Sequence, residues 1–120
     1  MATLSQRMAQ AAFPKVRRRQ TSGDVNFQEY TTVAKKFPAL IHTCGLAQAV
    51  AFAQAKRDLA YLDDLAAVLA AAGYREITGH DALGQQSRDQ SLTGYLRLSR
   101  DALLAAGWLK RYVEALAEKD

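Results

Sequence analysis

The chain has one cysteine and two prolines in 120 residues. One thiol cannot close an intramolecular disulfide, so disulfide-stapled secreted scaffolds are excluded. Nor can it supply the paired cysteines of common zinc sites. Long hydrophobic runs are missing: the most apolar stretch, Ala66 to Ala72, falls far short of the ~20 residues that a membrane-spanning helix needs. The opening MATLSQRMAQAAF lacks the charged-then-apolar order of a secretory signal. These absences predict a cytoplasmic protein with no membrane partner. Valine and isoleucine are sparse, and the glycines are scattered at 23, 45, 73, 79, 84, 94 and 107, so there is no glycine-rich phosphate loop.

What is present favours helices. About one residue in five is alanine, and alanine and leucine dominate the apolar set. The expected fold class is all-α: one helical domain over 1–120, a compact bundle of five to six helices. A first helix is expected over 3–20, with Leu4, Met8, Ala11, Ala12 and Val16 at spacings of three and four. Pro14 should kink it or cut it in two. TSGD (21–24) reads as a turn, and Asn26 with Glu29 as a cap for a helix that ends before Phe37-Pro38. Pro38 starts a short helix over 38–43, which Gly45 ends in a left-handed conformation. The alanine-rich segment 46–72 is expected to break near 56–58 and to end at Gly73. Residues 74–90 are polar and read as a loop with at most a short helical turn. Ser87 with Gln90, or else Ser91, caps a last helix to about Glu118. That helix presents Leu92, Leu96, Leu103, Leu104, Trp108, Leu109, Tyr112, Val113 and Leu116.

Reactive side chains are few and poorly combined. His42 and Cys44 stand two apart, which on a helix turns them about 200° away from each other, so neither a nucleophile pair nor a metal site is expected. Asp63-Asp64 reads as a solvated helix face, and His80-Asp81 as loop polarity. No catalytic residue, metal or cofactor is expected. Phe27, Tyr30, Phe52, Trp108 and Tyr112 fall on apolar stripes and read as core; Tyr74 is the candidate exposed ring.

Charge is the informative property. The formal net charge is +4. The first twenty residues carry Arg7, Lys15, Arg17, Arg18 and Arg19 and no acid, while the remainder is close to balanced. Four of these cations crowd into KVRRRQ (15–20); by helical angle Lys15, Arg18 and Arg19 share a face, with Arg7 near Arg18. Arginine forks match phosphate geometry, and such contacts position a nucleic acid without reading its sequence. An acidic protein surface is the alternative partner for the same face. A small enzyme using His42 or His80 is a third, weaker reading.

Two blocks carry a family resemblance. YTTVAKKFPALIHTCGLAQAVAFAQAK (30–56) supplies Tyr30, Lys36, Pro38, Ile41, Gly45, Leu46, Ala51 and Phe52. YLRLSRDALLAAGWLKRYVEALAE (95–118) supplies Tyr95, Ala102, Leu103, Trp108, Leu109, Lys110 and Arg111. Together they resemble the small all-helical subunit of the type III-B CRISPR effector, the Cmr or RAMP-module complex. The resemblance covers most of the chain, with only 57–90 undiagnostic. Cys44, where the family more often has a polar residue, and Gly107 inside a presumed helix depart from the pattern. The resemblance implies a non-catalytic subunit of a CRISPR antiviral ribonucleoprotein. Its partners would be the other Cmr subunits, further copies of itself, and guide and target RNA. Candidate RNA contacts are then Arg7, Lys15, Arg17, Arg18 and Arg19, with Lys35, Lys36, Arg57, Lys110 and Arg111 as secondary positions.

Overall fold

The computed structural model describes residues 2–23 and 25–117. It contains six helices among the described residues: α1 (Leu4–Ser22), α2 (Phe27–Cys44), α3 (Leu46–Ala55), α4 (Leu59–Ala71), α5 (His80–Asp89) and α6 (Leu92–Ala117). The expected turn position Asp24 and the expected helix end at Glu118 lie outside the described residues. The long α6 runs against α1, α2 and α4, and α5 closes the bundle over α3 and α4.

Three helices begin where side-chain capping directs. The Thr3 hydroxyl accepts from the Gln6 amide at 3.1 Å, and the Thr3 amide donates to Gln6 Oε1 at 2.8 Å, a reciprocal capping box. Asn26 Oδ1 accepts from the Glu29 amide. At the start of α6 the cap is Ser91, whose hydroxyl accepts from the Gly94 amide at 3.2 Å. Ser87 instead donates within α5, to the Gly84 carbonyl.

Neither proline ends its helix, which at Pro38 is contrary to expectation. α1 runs uncut through Pro14, and α2 runs through Pro38, so the separate helix over 38–43 does not exist. On α1 both Pro14 and Gln10, whose carbonyl loses its donor, are exposed, and water can take up that carbonyl. On α2 packing decides. Tyr30, Ala34, Phe37 and Ile41 form one buried stripe that crosses the proline. Ending the helix there would take Phe37 and Ile41 out of register, each worth about 1.5–3 kcal/mol of burial, against the ~3 kcal/mol penalty of an internal proline. Gly45 does end α2, but with φ 85° and ψ 161°, not the left-handed helical conformation. A Cβ there would lie 3.2 Å from the Tyr95 hydroxyl. That hydroxyl accepts from the Ala47 amide at 3.1 Å and so ties the α2–α3 corner to α6.

The break near 56–58 is present, with Arg57 at φ 64°. The segment 74–90, expected as a loop, contains the ten-residue α5. Local sequence hides this helix because tertiary contacts hold it. The His80 amide donates to Asp63 Oδ1 at 2.8 Å, and Gln54 Nε2 donates to the His80 carbonyl at 3.3 Å. Gly84 is buried in the middle of α5, and a Cβ there would meet Gln54 Nε2 at 2.6 Å. The glycine that resembles loop punctuation is therefore what lets α5 lie close to α3.

The core stripe of α6 is Leu98, Ala102, Ala105, Ala106, Leu109, Val113 and Leu116. Leu92, Leu96 and Leu104, expected on the apolar face, are exposed, and so is Phe52, expected in the core. Helix periodicity identifies a broad apolar set there, and only the neighbours decide which part of it is covered.

Gly107 has no such reason to be glycine. It lies inside α6, and a Cβ would meet nothing within 4 Å. Gly107→Ala should therefore stabilise the isolated chain by about 1 kcal/mol, the intrinsic difference between the two residues in a helix. Urea unfolding of the two proteins, compared at equal slope, checks it.

Candidate nucleic-acid interface

Helix α1 buries Met8, Ala12 and Val16. Arg19 continues that row at i+3 from Val16 and therefore points inward. It meets Asp64, which α4 carries into the bundle at 1% exposure. Arg19 Nε donates to Asp64 Oδ2 at 3.0 Å and Nη2 to Oδ1 at 2.9 Å. The Tyr30 hydroxyl adds a third bond to Oδ2 at 2.7 Å. This hydrogen bonding to Asp64 holds the Arg19 guanidinium even more firmly protonated than usual, against the opposing effect of its burial. One expectation is corrected: Asp64 is not part of a solvated face. Arg19, expected among the outward cations, has its guanidinium engaged by Asp64. Its position on the Met8–Ala12–Val16 stripe was the available signal. Asp63 is also occupied, by the α5 amide noted above.

Arg7, Arg17 and Arg18 are exposed and Lys15 is half-buried, so α1 still presents four cations with no carboxylate in the helix. Its exposed Phe13 lies four residues before Arg17, on the same side of the helix. Across the seam, Phe13 meets Tyr112 of α6 edge to face, with ring centroids 5.3 Å apart. Tyr112 stacks on Trp108 at 5.7 Å, and the Arg111 guanidinium sits 5.9 Å from the Trp108 ring centre. The structure thus joins the α1 cations to Arg111 through a row of aromatic rings. Lys110 is half-buried beside it. Sequence reasoning missed this row because Phe13 and Tyr112 are almost a chain length apart.

Lys35, Lys36 and Arg57 form a different group. Lys36 lines a cleft with Leu40, Phe52, Lys56 and Asp58, and Arg57 and Asp58 line the adjoining cleft over Tyr30 and Tyr61. Lys56 covers the exposed Phe52 ring at 5.1 Å. Lys35 is exposed on α2. A further basic position was missed: Arg97 and Arg100 line a cleft with Tyr74 and Asp101. Tyr74, expected as an exposed ring, is half-buried, and its hydroxyl donates to Asp101 at 2.6 Å. Burial, then the bond to Asp101, pushes the Tyr74 phenol up to about 12. Burial likewise pushes the Tyr30 and Tyr61 phenols strongly upward.

His42 is exposed and Cys44 half-buried at the end of α2. His80 Nδ1 lies 3.3 Å from the exposed Asp81 carboxylate. Among the described residues no group of three or more histidine, cysteine, aspartate or glutamate side chains could hold a metal ion. No described helix is long and apolar enough to cross a membrane.

These features define a class: a small all-helical protein whose distinctive surface is a cationic helix edged by aromatic rings. The family profile described as CRISPR-associated protein (Cas_Cmr5) matches residues 4–116. The chain is 39% identical to the CRISPR system Cmr subunit Cmr5 of Thermus thermophilus, over 99% of this chain and all of that one. The crystal structure of a CRISPR-associated Cmr5 family protein from the same organism superposes with a TM-score of 0.82 at 38% identity, covering 96% of this chain and 98% of that one. The chain belongs to the Cmr5 family of CRISPR-associated proteins.

Removing Arg19 leaves a buried carboxylate without its cation, so Arg19→Ala should cost about 3–5 kcal/mol, whereas Arg18→Ala should stay within about 0.5 kcal/mol. Denaturant unfolding of the two variants checks the contrast. The tyrosines predict sensitivity to alkali. The folded state holds the Tyr74 proton up to about 12, while the unfolded chain releases it near 10.0, so stability is fully present below pH 10 and falls as pH rises towards 12. Thermal melts across that window should show the fall, made shallower by Tyr74→Phe, with Tyr30 and Tyr61 still contributing.

Proposed function

We propose that this chain is a non-catalytic small subunit of a type III-B CRISPR effector, the Cmr complex. In it the chain stacks with further copies of itself and touches RNA backbone, on the guide, the target or their duplex. The observation that carries the RNA contact is the outward set Arg7, Lys15, Arg17 and Arg18 on a helix without a carboxylate. Among the described residues no carboxylate pairs with these four, unlike Arg19, so they suit neutralising phosphate and releasing its counterions. Arg111 and Lys110 adjoin this set through the aromatic row and belong with it. Lys36 and Arg57 share clefts with Asp58, Lys35 is exposed on the same helix as Lys36, and all three suit contact with a neighbouring subunit at least as well. The relative's description as a Cmr subunit supports the assembly, and the cytoplasm is where such a complex would meet RNA.

The alternative occupant of the α1 face is acidic protein surface. The two differ in what removal of the cations does. The triple variant Arg7→Ala, Arg17→Ala, Arg18→Ala spares Arg19 and therefore the fold. Incorporated into the Cmr complex, it should flatten the dependence of log affinity for RNA on log salt by about 2, roughly 0.7 for each single-strand phosphate no longer neutralised. An unchanged slope together with loss of the subunit from the complex would assign the face to protein.

A further inference from the structure

The solvent side of α6 contains a cleft of about 240 Å³ lined by Ser5, Leu103, Leu104, Gly107, Trp108 and Arg111. Its composition sets it apart. The clefts at Arg57, at Lys36 and at Arg97 each include a carboxylate, whereas this one has, among the described residues, a cation and a hydroxyl and no acid. Leu104 is exposed within it. Gly107 contributes a stretch of bare helix backbone, although nothing inside the protein needs the space. A glycine that weakens its helix without an internal reason, in the lining of a cleft, marks close approach by something outside. The same cleft is lined by a tryptophan ring and by a guanidinium 5.9 Å from that ring's centre. A flat apolar wall beside a cation suits a planar, uncharged ring attached to a phosphate.

We propose that this cleft takes one unstacked base of single-stranded RNA, lying over Gly107 against Trp108, with its phosphate on Arg111. The inference rests on the RNA-contact reading above and deepens it, because backbone contact alone needs no base cleft. It also accounts for the aromatic row. Trp108, Tyr112 and Phe13 lead from the cleft towards Arg17, so a strand that seats a base at Gly107 can follow the rings to the α1 cations. Stacking of this kind tolerates every base, since each presents a π face.

Trp108 is the chain's single tryptophan, so its fluorescence reports on the cleft directly. The full chain is titrated at low salt with a short oligouridine, and separately with the same ribose-phosphate strand lacking its bases. Binding is followed independently by anisotropy of fluorescein-labelled strands. The expected result is quenching of Trp108 by oligouridine and little change with the abasic strand. Gly107→Ala should weaken oligouridine binding several-fold while leaving abasic-strand binding unchanged. Trp108→Ala should weaken oligouridine binding by roughly 5- to 150-fold, the usual worth of one stacked base. Equal quenching by both strands would overturn the base cleft. So would strand binding that leaves Trp108 and the Gly107→Ala protein unaffected, and the RNA-contact reading would survive it. Failure of both strands to bind at low salt would overturn the RNA-contact reading and the cleft with it. Loss of the Gly107→Ala chain from the assembled complex, with strand binding intact, would give the cleft to a protein partner.

Discussion

Asp64 is a carboxylate at the centre of a small helical bundle, and three helices are positioned by what satisfies it. α4 carries the acid, α1 brings the Arg19 fork, and α2 brings the Tyr30 hydroxyl. A buried ion in this position is tolerable only when its lone pairs are filled with good geometry, so the register of α1 against α4 has little freedom. Apolar packing alone would specify it weakly, because much of the shared surface is alanine and leucine, residues that slide past one another at modest cost. The three-way contact supplies the directionality that those side chains lack. Tyr61 packs beside it, edge-on to Tyr30 and tilted against Phe37, which extends the same fixed point into the core of α2.

This fixed point also shapes the outer surface. With Arg19 turned inward, Arg7, Arg17 and Arg18 are left on the outward part of α1, and Phe13 is placed at the seam with α6. The α1–α6 seam then brings Phe13, Tyr112, Trp108 and Arg111 into one row. A structural ion pair and an outward cationic surface thus arise from the same run of cations, KVRRRQ, divided by helical angle. The division is physical: a guanidinium on the core stripe must find an internal partner, while one a third of a turn away stays in water.

Two tight points of the fold, a corner and a helix–helix contact, follow a similar logic of close approach. Gly45 leaves room for the Tyr95 hydroxyl, which in turn caps the Ala47 amide, so residues from the two blocks that carry the family resemblance meet in space. Gly84 leaves room for Gln54 and lets α5 close on α3. In both cases the role of a glycine is plain only once the neighbour that fills its space is known. Gly107 differs, since its space is empty within the protein and open to the outside.

Composition and periodicity by themselves determined the helical class, the cap at Asn26, the break at 56–58 and the concentration of positive charge on the first helix, and left Ser91 as one of two candidate caps for the last. These depend on local propensity and on the spacing of apolar residues, which are properties of short windows. The two block patterns determined the family. Tertiary structure decided the rest. It carried α2 through Pro38, because Phe37 and Ile41 are buried on a stripe shared with Tyr30. It made a helix of 80–89, because Asp63 and Gln54 bond its first turn. It left Phe52 and Leu104 in solvent and took Arg19 out of it. Each of these outcomes depends on a partner far away in the chain, and no local window contains the energy of a contact with Asp64, Gln54 or Tyr112.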